Sequence, residues 1–150
     1  MKVLEILEKR SIRKPADLVT IRPEDTVYDA IAEMSKRNIG ALLVMDEGGL
    51  RGIITERDYR DKIVLMNRRS QETRVHEIMT ADVYTVRGEE EVEACMQIMM
   101  DKSIRHLPVV ADAGEVVGII SIRDLVEKVI DNQQFQIMTL RKYIAGQYPG

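Results

Sequence analysis

Apolar positions along this chain fall into short blocks whose period keeps changing, and each change marks an element. Residues 3 to 9 predict a short amphipathic helix, ending in the basic stretch Lys9-Arg10-Ser11-Ile12-Arg13-Lys14-Pro15. Leu18 to Ile21 predicts a short strand, stopped by Pro23. Thr26-Val27-Tyr28-Asp29 has the form of a capping box, and Val27, Ala30, Ile31 and Met34 make a helical stripe behind it. Ala41 to Met45, the turn Asp46-Glu47-Gly48-Gly49 and Leu50 to Thr55 predict a β-hairpin. A helix then runs from Glu56 to about Met66, with Tyr59, Ile63 and Met66 on one face. Residues 67 to 80 read as a link. After it come a strand at Val83 to Val86, a helix from Val92 to Asp101, a hairpin from Leu107 to Ile120 and a helix from Ile122. That last helix continues through Val126, Val129, Ile130 and Ile137 to Tyr143, which leaves an apolar stripe that one half alone does not need.

The two series of elements are copies. Gly52-Ile53-Ile54-Thr55-Glu56-Arg57-Asp58 returns as Gly118-Ile119-Ile120-Ser121-Ile122-Arg123-Asp124. The flanks follow in the same order: Thr20-Ile21-Arg22 matches Thr85-Val86-Arg87, Val27 and Met34 match Val92 and Met99, and Leu42 and Val44 match Leu107 and Val109. The offset is 65, and 66 from Gly48/Gly114 onward, so one residue was gained at a turn. Each half reads β-α-β-β-α, an α/β (α+β) unit that has to pair with its copy to bury its apolar face, giving pseudo-twofold symmetry. The expected divisions are a lead-in at 1–16, a first repeat at 17–70 and a second at 71–146.

Composition narrows the function classes. With 45% hydrophobic and 31% charged residues the chain is an ordinary globular sequence, and a net charge of −3 gives no general attraction to nucleic acid or anionic membrane. The one cysteine excludes an internal disulfide. No apolar run has transmembrane length, and the amino end is broken by acids where a signal peptide would be apolar, so a cytoplasmic protein is expected.

Catalytic chemistry finds little to work with. His76 sits near the link, where a solvated ring is expected, and Cys95 lies on the apolar stripe of its helix. No zinc spacing or nucleophile motif is present, and an enzyme is not expected. The heptapeptide is the better candidate. In each copy a strand runs into Thr55 or Ser121, with Asp58 or Asp124 three residues on. Ser/Thr-x-x-Asp is foremost a helix cap; where such a cap faces a cleft, the same groups can also meet a phosphate and the hydroxyls of a ribose. Arg105 and His106, just before a buried strand, are either surface charge or donors for an anion. Gly40-Ala41 occupy the matching positions in the first half. The basic stretches at 9–14 and 68–69 read as solvated faces.

Together these residues resemble the CBS domain, present as the tandem pair called a Bateman module, from about Leu4 to Tyr143. The Gly-Ile-Ile-Thr/Ser-x-x-Asp element in both halves, Pro23 to Val27 and Arg105-His106-Leu107-Pro108-Val109 carry the likeness, which is greatest to small bacterial CBS-pair proteins. The resemblance implies two repeats packed sheet to sheet and a regulatory module that binds an adenosine ligand: AMP first, with ATP, ADP, NAD(H) or S-adenosylmethionine as alternatives, and no metal. It implies a cleft joining Thr55, Arg57 and Asp58 to Val83, Thr85, Val86, Arg105, His106 and Pro108. A second cleft would join Ser121, Arg123 and Asp124 to Thr20, Ile21, Ile39, Gly40 and Ala41. Gly40-Ala41 in place of a basic pair, and Leu43 in place of Pro108, weaken the phosphate end of that second cleft. A homodimer and a regulated partner protein are the expected associations. The competing reading is an interaction scaffold with vestigial clefts.

Overall fold

The computed structural model describes residues 1–9 and 18–146. The basic stretch after Lys9 therefore lies outside the described residues. The elements are α1 (Val3–Lys9), β1 (Thr20–Ile21), α2 (Val27–Arg37), β2 (Ala41–Asp46), β3 (Gly49–Thr55), α3 (Glu56–Tyr59), α4 (Val75–Ile78), β4 (Val86–Arg87), α5 (Val92–Lys102), β5 (His106–Val110), β6 (Val116–Ser121) and α6 (Ile122–Ile144).

The duplication is literal at the level of register. Each repeat has one three-stranded sheet, in the orders β1-β2-β3 and β4-β5-β6, with a parallel first pair and an antiparallel hairpin. Ile21 pairs with Val44 as Val86 pairs with Val109, while Leu43 faces Ile53 as Pro108 faces Ile119. Both hairpins slip register at matching places, after Val44 and after Val109. The helices α2 and α5 end alike, on Asn38 and Ser103, each with φ of 54°. Ala41 to Val44 are buried without a break, as are Leu107 to Val109, so both faces of each central strand are covered.

Two separate apolar clusters form, one per repeat, and each recruits a helix from across the sequence. Val75 and Ile78 of α4 are buried with Val27, Met34, Leu42 and Ile54 of the first repeat. Val3, Ile6 and Leu7 of α1 are buried with Val92, Met99, Leu107 and Ile120 of the second. The backbone bonds that dock the two helices correspond: Val75 and His76 donate to Asp25 and Pro23 at 2.8 and 3.1 Å, Val3 and Leu4 to Glu90 and Gly88 at 3.0 and 2.9 Å. The segment read as a link is thus a packed part of the first repeat. The signal for it was present: Val75-His76-Glu77-Ile78 repeats Val3-Leu4-Glu5-Ile6.

This exchange explains the glycine that opens each heptapeptide. A Cβ on Gly52 would lie 2.6 Å from the Thr80 backbone oxygen, and one on Gly118 would lie 2.7 Å from Leu7 Cδ2. Each glycine lets a docked segment approach its strand.

The helix after β3 departs from expectation. It is regular only over α3, and Arg60–Val64 continue it as a wider turn in which Leu65 N–H donates to Arg60 O at 3.0 Å and Arg68 N–H to Ile63 O at 2.9 Å. The extra residue per turn shifts the phase. Ile63 remains buried, but Met66, expected on the same face, is 66% exposed. In the second repeat α6 runs unbroken for 23 residues. From residue 133 to 146 every position is exposed, including Phe135, Ile137, Met138, Leu140 and Tyr143.

Candidate functional site

Where β3 passes into α3 and β6 into α6, the chain makes the same closure twice. Thr55 N–H donates to Asp58 Oδ2 at 3.0 Å while Asp58 N–H donates to Thr55 Oγ1 at 3.1 Å; Ser121 and Asp124 repeat the pair at 2.7 and 3.2 Å. Both carboxylates therefore serve the cap that the sequence suggested. A backbone bond ties each helix start to the strand beside it: Glu56 N–H to Gly40 O at 3.0 Å and Ile122 N–H to Arg105 O at 2.8 Å. Position 40 in one repeat and position 105 in the other are fixed by the same device.

Around the Asp58 cap lies a cavity of about 580 Å³ with walls from both repeats. Thr55, Glu56, Arg57, Asp58, Ile53 and Gly40 come from the first repeat. Arg105, His106, Lys102, Ser103 and Ile104 come from the second, and Thr80, Asp82, Val83 and Tyr84 form the segment between α4 and β4. That segment is positioned by a reciprocal pair of bonds, Ile53 N–H to Thr80 O at 3.0 Å and Thr80 N–H to Ile53 O at 2.9 Å. Of the residues expected in this cleft, Thr55, Arg57, Asp58, Val83, Arg105 and His106 line the cavity. Thr85, Val86 and Pro108 are not among the lining residues. Val86 points into the second repeat's apolar cluster, and Pro108 is buried opposite Ile119. Gly40, assigned in sequence to the other cleft, lines this one.

One end of the cavity is cationic. The Arg57 guanidinium crosses between repeats to donate to Ser103 O at 2.9 Å, beyond the end of α5. Arg105 is exposed, and among the described residues its side chain has no hydrogen bond or ion pair. His106 is half-buried. Burial first, and then the Arg105 and Arg57 charges, push its imidazole down to about 4, so it stands neutral at pH 7. Asp58 is 12% exposed and its second oxygen meets Lys62 Nζ at 3.1 Å, while Lys62 also donates to Ile78 O at 2.8 Å. At the mouth, Lys102 Nζ sits 4.7 Å from the Tyr84 ring centroid.

Sequence reasoning missed Thr80, Asp82, Tyr84, Lys102 and Glu56. Thr80 falls at the end of the supposed link, Asp82 just after it and Tyr84 in the expected strand, and Lys102 follows the end of a helix otherwise assigned to packing. The repeated Val-x-Glu-Ile of α1 and α4 would have shown that the chain after α4 is held against β3.

The Asp124 side differs. Arg123 does not reach across as Arg57 does; it pairs with Glu127 at 3.1 Å along its own helix. Thr20 is exposed and Ile21 half-buried on the first repeat's cluster, while Ala41 is buried. Ile39 lines a smaller hollow of about 240 Å³ with Met34, Asn38 and Glu56. The counterparts of residues 80–82, at 15–17, lie outside the described residues. Cys95 is buried and its thiol is raised to about 11 by burial, as its place on the stripe implied, and His76 is exposed. Among the described residues no cluster of His, Cys, Asp or Glu has the arrangement of a metal site, and no helix is long and apolar enough to cross a membrane.

A duplicated α+β unit with a ligand-sized cavity between its copies defines the class of protein. The family model for the CBS domain matches the chain twice, over residues 2–65 and 75–131, and the chain belongs to the CBS-domain family as a tandem pair. It is 44% identical over 130 residues to the mitochondrial CBS domain-containing protein CBSX3 of Arabidopsis thaliana, covering 83% of this chain and 63% of that one. A protein with CBS domains from Burkholderia ambifaria is 45% identical, with a TM-score of 0.80 over 89% of this chain and 96% of that one. A CBS domain protein from Pyrobaculum aerophilum, solved in complex with AMP, shares the fold at 24% identity, with a TM-score of 0.71 over 83% of this chain and 89% of that one.

Proposed function

We propose that this CBS pair is a regulatory module that binds an adenosine nucleotide, AMP foremost, in the cavity built on Asp58. The observation that carries this reading is the cavity's composition. Its volume of about 580 Å³ suits a nucleotide, and it joins a capped Asp58 from one repeat to an apolar wall at Val83 and a cationic end at Arg57, Arg105 and His106. Asp58 would meet the ribose hydroxyls, Ile53, Val83 and Tyr84 the base, and Arg105 with neutral His106 the phosphate. The AMP complex of the Pyrobaculum protein supports the choice of ligand. NAD(H), ATP and ADP are the alternatives, and no metal is required.

The output is regulatory rather than catalytic. A ligand shifts such a module only through its differential affinity for two states, and a partner protein or a second copy reads the shift. The exposed apolar residues of α6 from Phe135 to Tyr143 favour a homodimer that covers them. We assign the module to the cytoplasm.

The test is a thermal-shift and calorimetric series with AMP, ADP, ATP, NAD⁺ and GMP. AMP at a hundred times its dissociation constant should stabilise the protein by about 2.7 kcal/mol. No shift with any adenosine ligand, or equal affinity for AMP and GMP, would sink the reading. Sedimentation at micromolar concentration should give a dimer, and chromatography should recover the nucleotide unchanged.

A further inference from the structure

An acid without a bonded partner lines the cavity near its cationic end. Glu56 is the first residue of α3 and lines the cavity beside Gly40 and His106. A Cβ built on Gly40 would lie 3.7 Å from the Glu56 carboxyl group and 3.7 Å from His106 Cε1, so carboxylate and imidazole face each other across that glycine. The Glu56 backbone is held by its bond to Gly40 O, while among the described residues its side chain makes no hydrogen bond or ion pair. Arg57 donates to Ser103 O and Lys62 pairs with Asp58, so neither is bonded to it.

The fold does not need this acid. Thr55 and Asp58 close the cap without it, and the equivalent position in the second repeat is Ile122, half-buried against an apolar cluster. A solvated, unpaired carboxylate at the place where an anion would end has a consequence for which anions fit. The reasoning rests on the nucleotide reading above.

We infer that Glu56 is a specificity-determining residue that limits the ligand of this cavity to a single phosphate. A monophosphate meets Arg105 and His106 and ends there. A second or third phosphate has to continue past that pair toward Gly40, where the Glu56 carboxylate opposes it. Like charges brought together in a partly solvated site should reduce affinity by roughly ten-fold for a triphosphate. Gly40, with no side chain of its own, leaves the two groups room to face the same volume.

The experiment titrates the full chain with AMP and ATP by calorimetry in EDTA, for the unaltered protein, Glu56→Gln and Glu56→Asp. The unaltered protein should prefer AMP by about ten-fold or more, and Glu56→Gln should remove most of that preference through tighter ATP binding, with AMP changed less than about three-fold. Glu56→Asp, which keeps the charge, should retain the preference. Because Glu56 is exposed and makes no side-chain bond, all three proteins should melt together, which removes misfolding as an explanation. An ATP-to-AMP ratio unchanged in Glu56→Gln overturns the inference while leaving the nucleotide reading intact. Absence of binding by both nucleotides overturns both.

Discussion

The two repeats share strand order, register, bulge position and cap geometry, yet they differ at nearly every place where a ligand would be touched. Arg105-His106 stand opposite one cap, and Gly40-Ala41 hold the equivalent positions in the other repeat. Arg57 bridges to Ser103 across the repeats, whereas Arg123 pairs with Glu127 on its own helix. Lys62 braces Asp58, whereas its counterpart Lys128 sits 3.6 Å from Glu5 of α1. The frame and the cap residues that face the cavity are duplicated; Glu56, Arg105 and His106 around the cap are not, their counterparts being Ile122, Gly40 and Ala41. Duplication supplied two similar scaffolds, and we propose that the differences between them favour an anion on the Asp58 side.

The largest effect should come from breaking the exchange of helices. Ile78→Ala removes a buried side chain contributed by α4 and should cost about 2–5 kcal/mol. Hydrogen exchange should then rise first in α2 and β3 of the other half of the sequence, while α5 and β6 stay protected. Leu7→Ala should do the reverse. Protection lost evenly across both repeats would show that the two clusters are one.

His106 sharpens the comparison through pH, because Ala41 at the matching place cannot titrate. Its folded-state value of about 4 lies below the ordinary histidine range. Lowering the pH from about 6.5 therefore protonates the unfolded chain first, and stability is lost down to about pH 4, by at most about 3 kcal/mol. His106→Gln should flatten that part of the stability–pH curve in urea unfolding. A curve identical to that of the unaltered protein would mean that the ring is freely solvated.

The glycine pair gives a smaller, graded contrast. Gly52→Ala drives a methyl against a backbone oxygen and the Met79 side chain, and should cost about 2–3 kcal/mol. Gly118→Ala meets only the tip of Leu7, which can turn aside, and should cost about 1 kcal/mol. Equal losses in urea melts would argue that the approach of α1 and α4 is equally rigid.

The frame was legible because it rests on local signals: the apolar alternation of the hairpins, the Ser/Thr-x-x-Asp caps and the repeated heptapeptide. The destination of α4 was not, because a four-residue helix in a polar stretch has too short a period to show which cluster it joins. The wider turn at Arg60–Val64 was missed for a related reason. The apolar spacing of Tyr59, Ile63 and Met66 fits a regular helix, and only hydrogen bonds to the fifth residue reveal the phase shift. At the site, Thr55, Asp58, Arg105 and His106 could be chosen from sequence. Glu56, Tyr84 and Lys102 could not, since an exposed acid, aromatic or lysine carries no periodic signature.

The central claim is that the Asp58 side is the stronger nucleotide site. The direct test is a calorimetric titration of AMP into Asp58→Ala and Asp124→Ala, each first shown to be folded by its melting transition. Asp58→Ala should lose the tight phase, with affinity falling about ten-fold or more, and Asp124→Ala should keep it, because Arg105 can offer a phosphate a charge-assisted bond of roughly 1.5–3 kcal/mol where Gly40 stands at the matching position. A tight phase that survives in Asp58→Ala and disappears in Asp124→Ala would contradict the account.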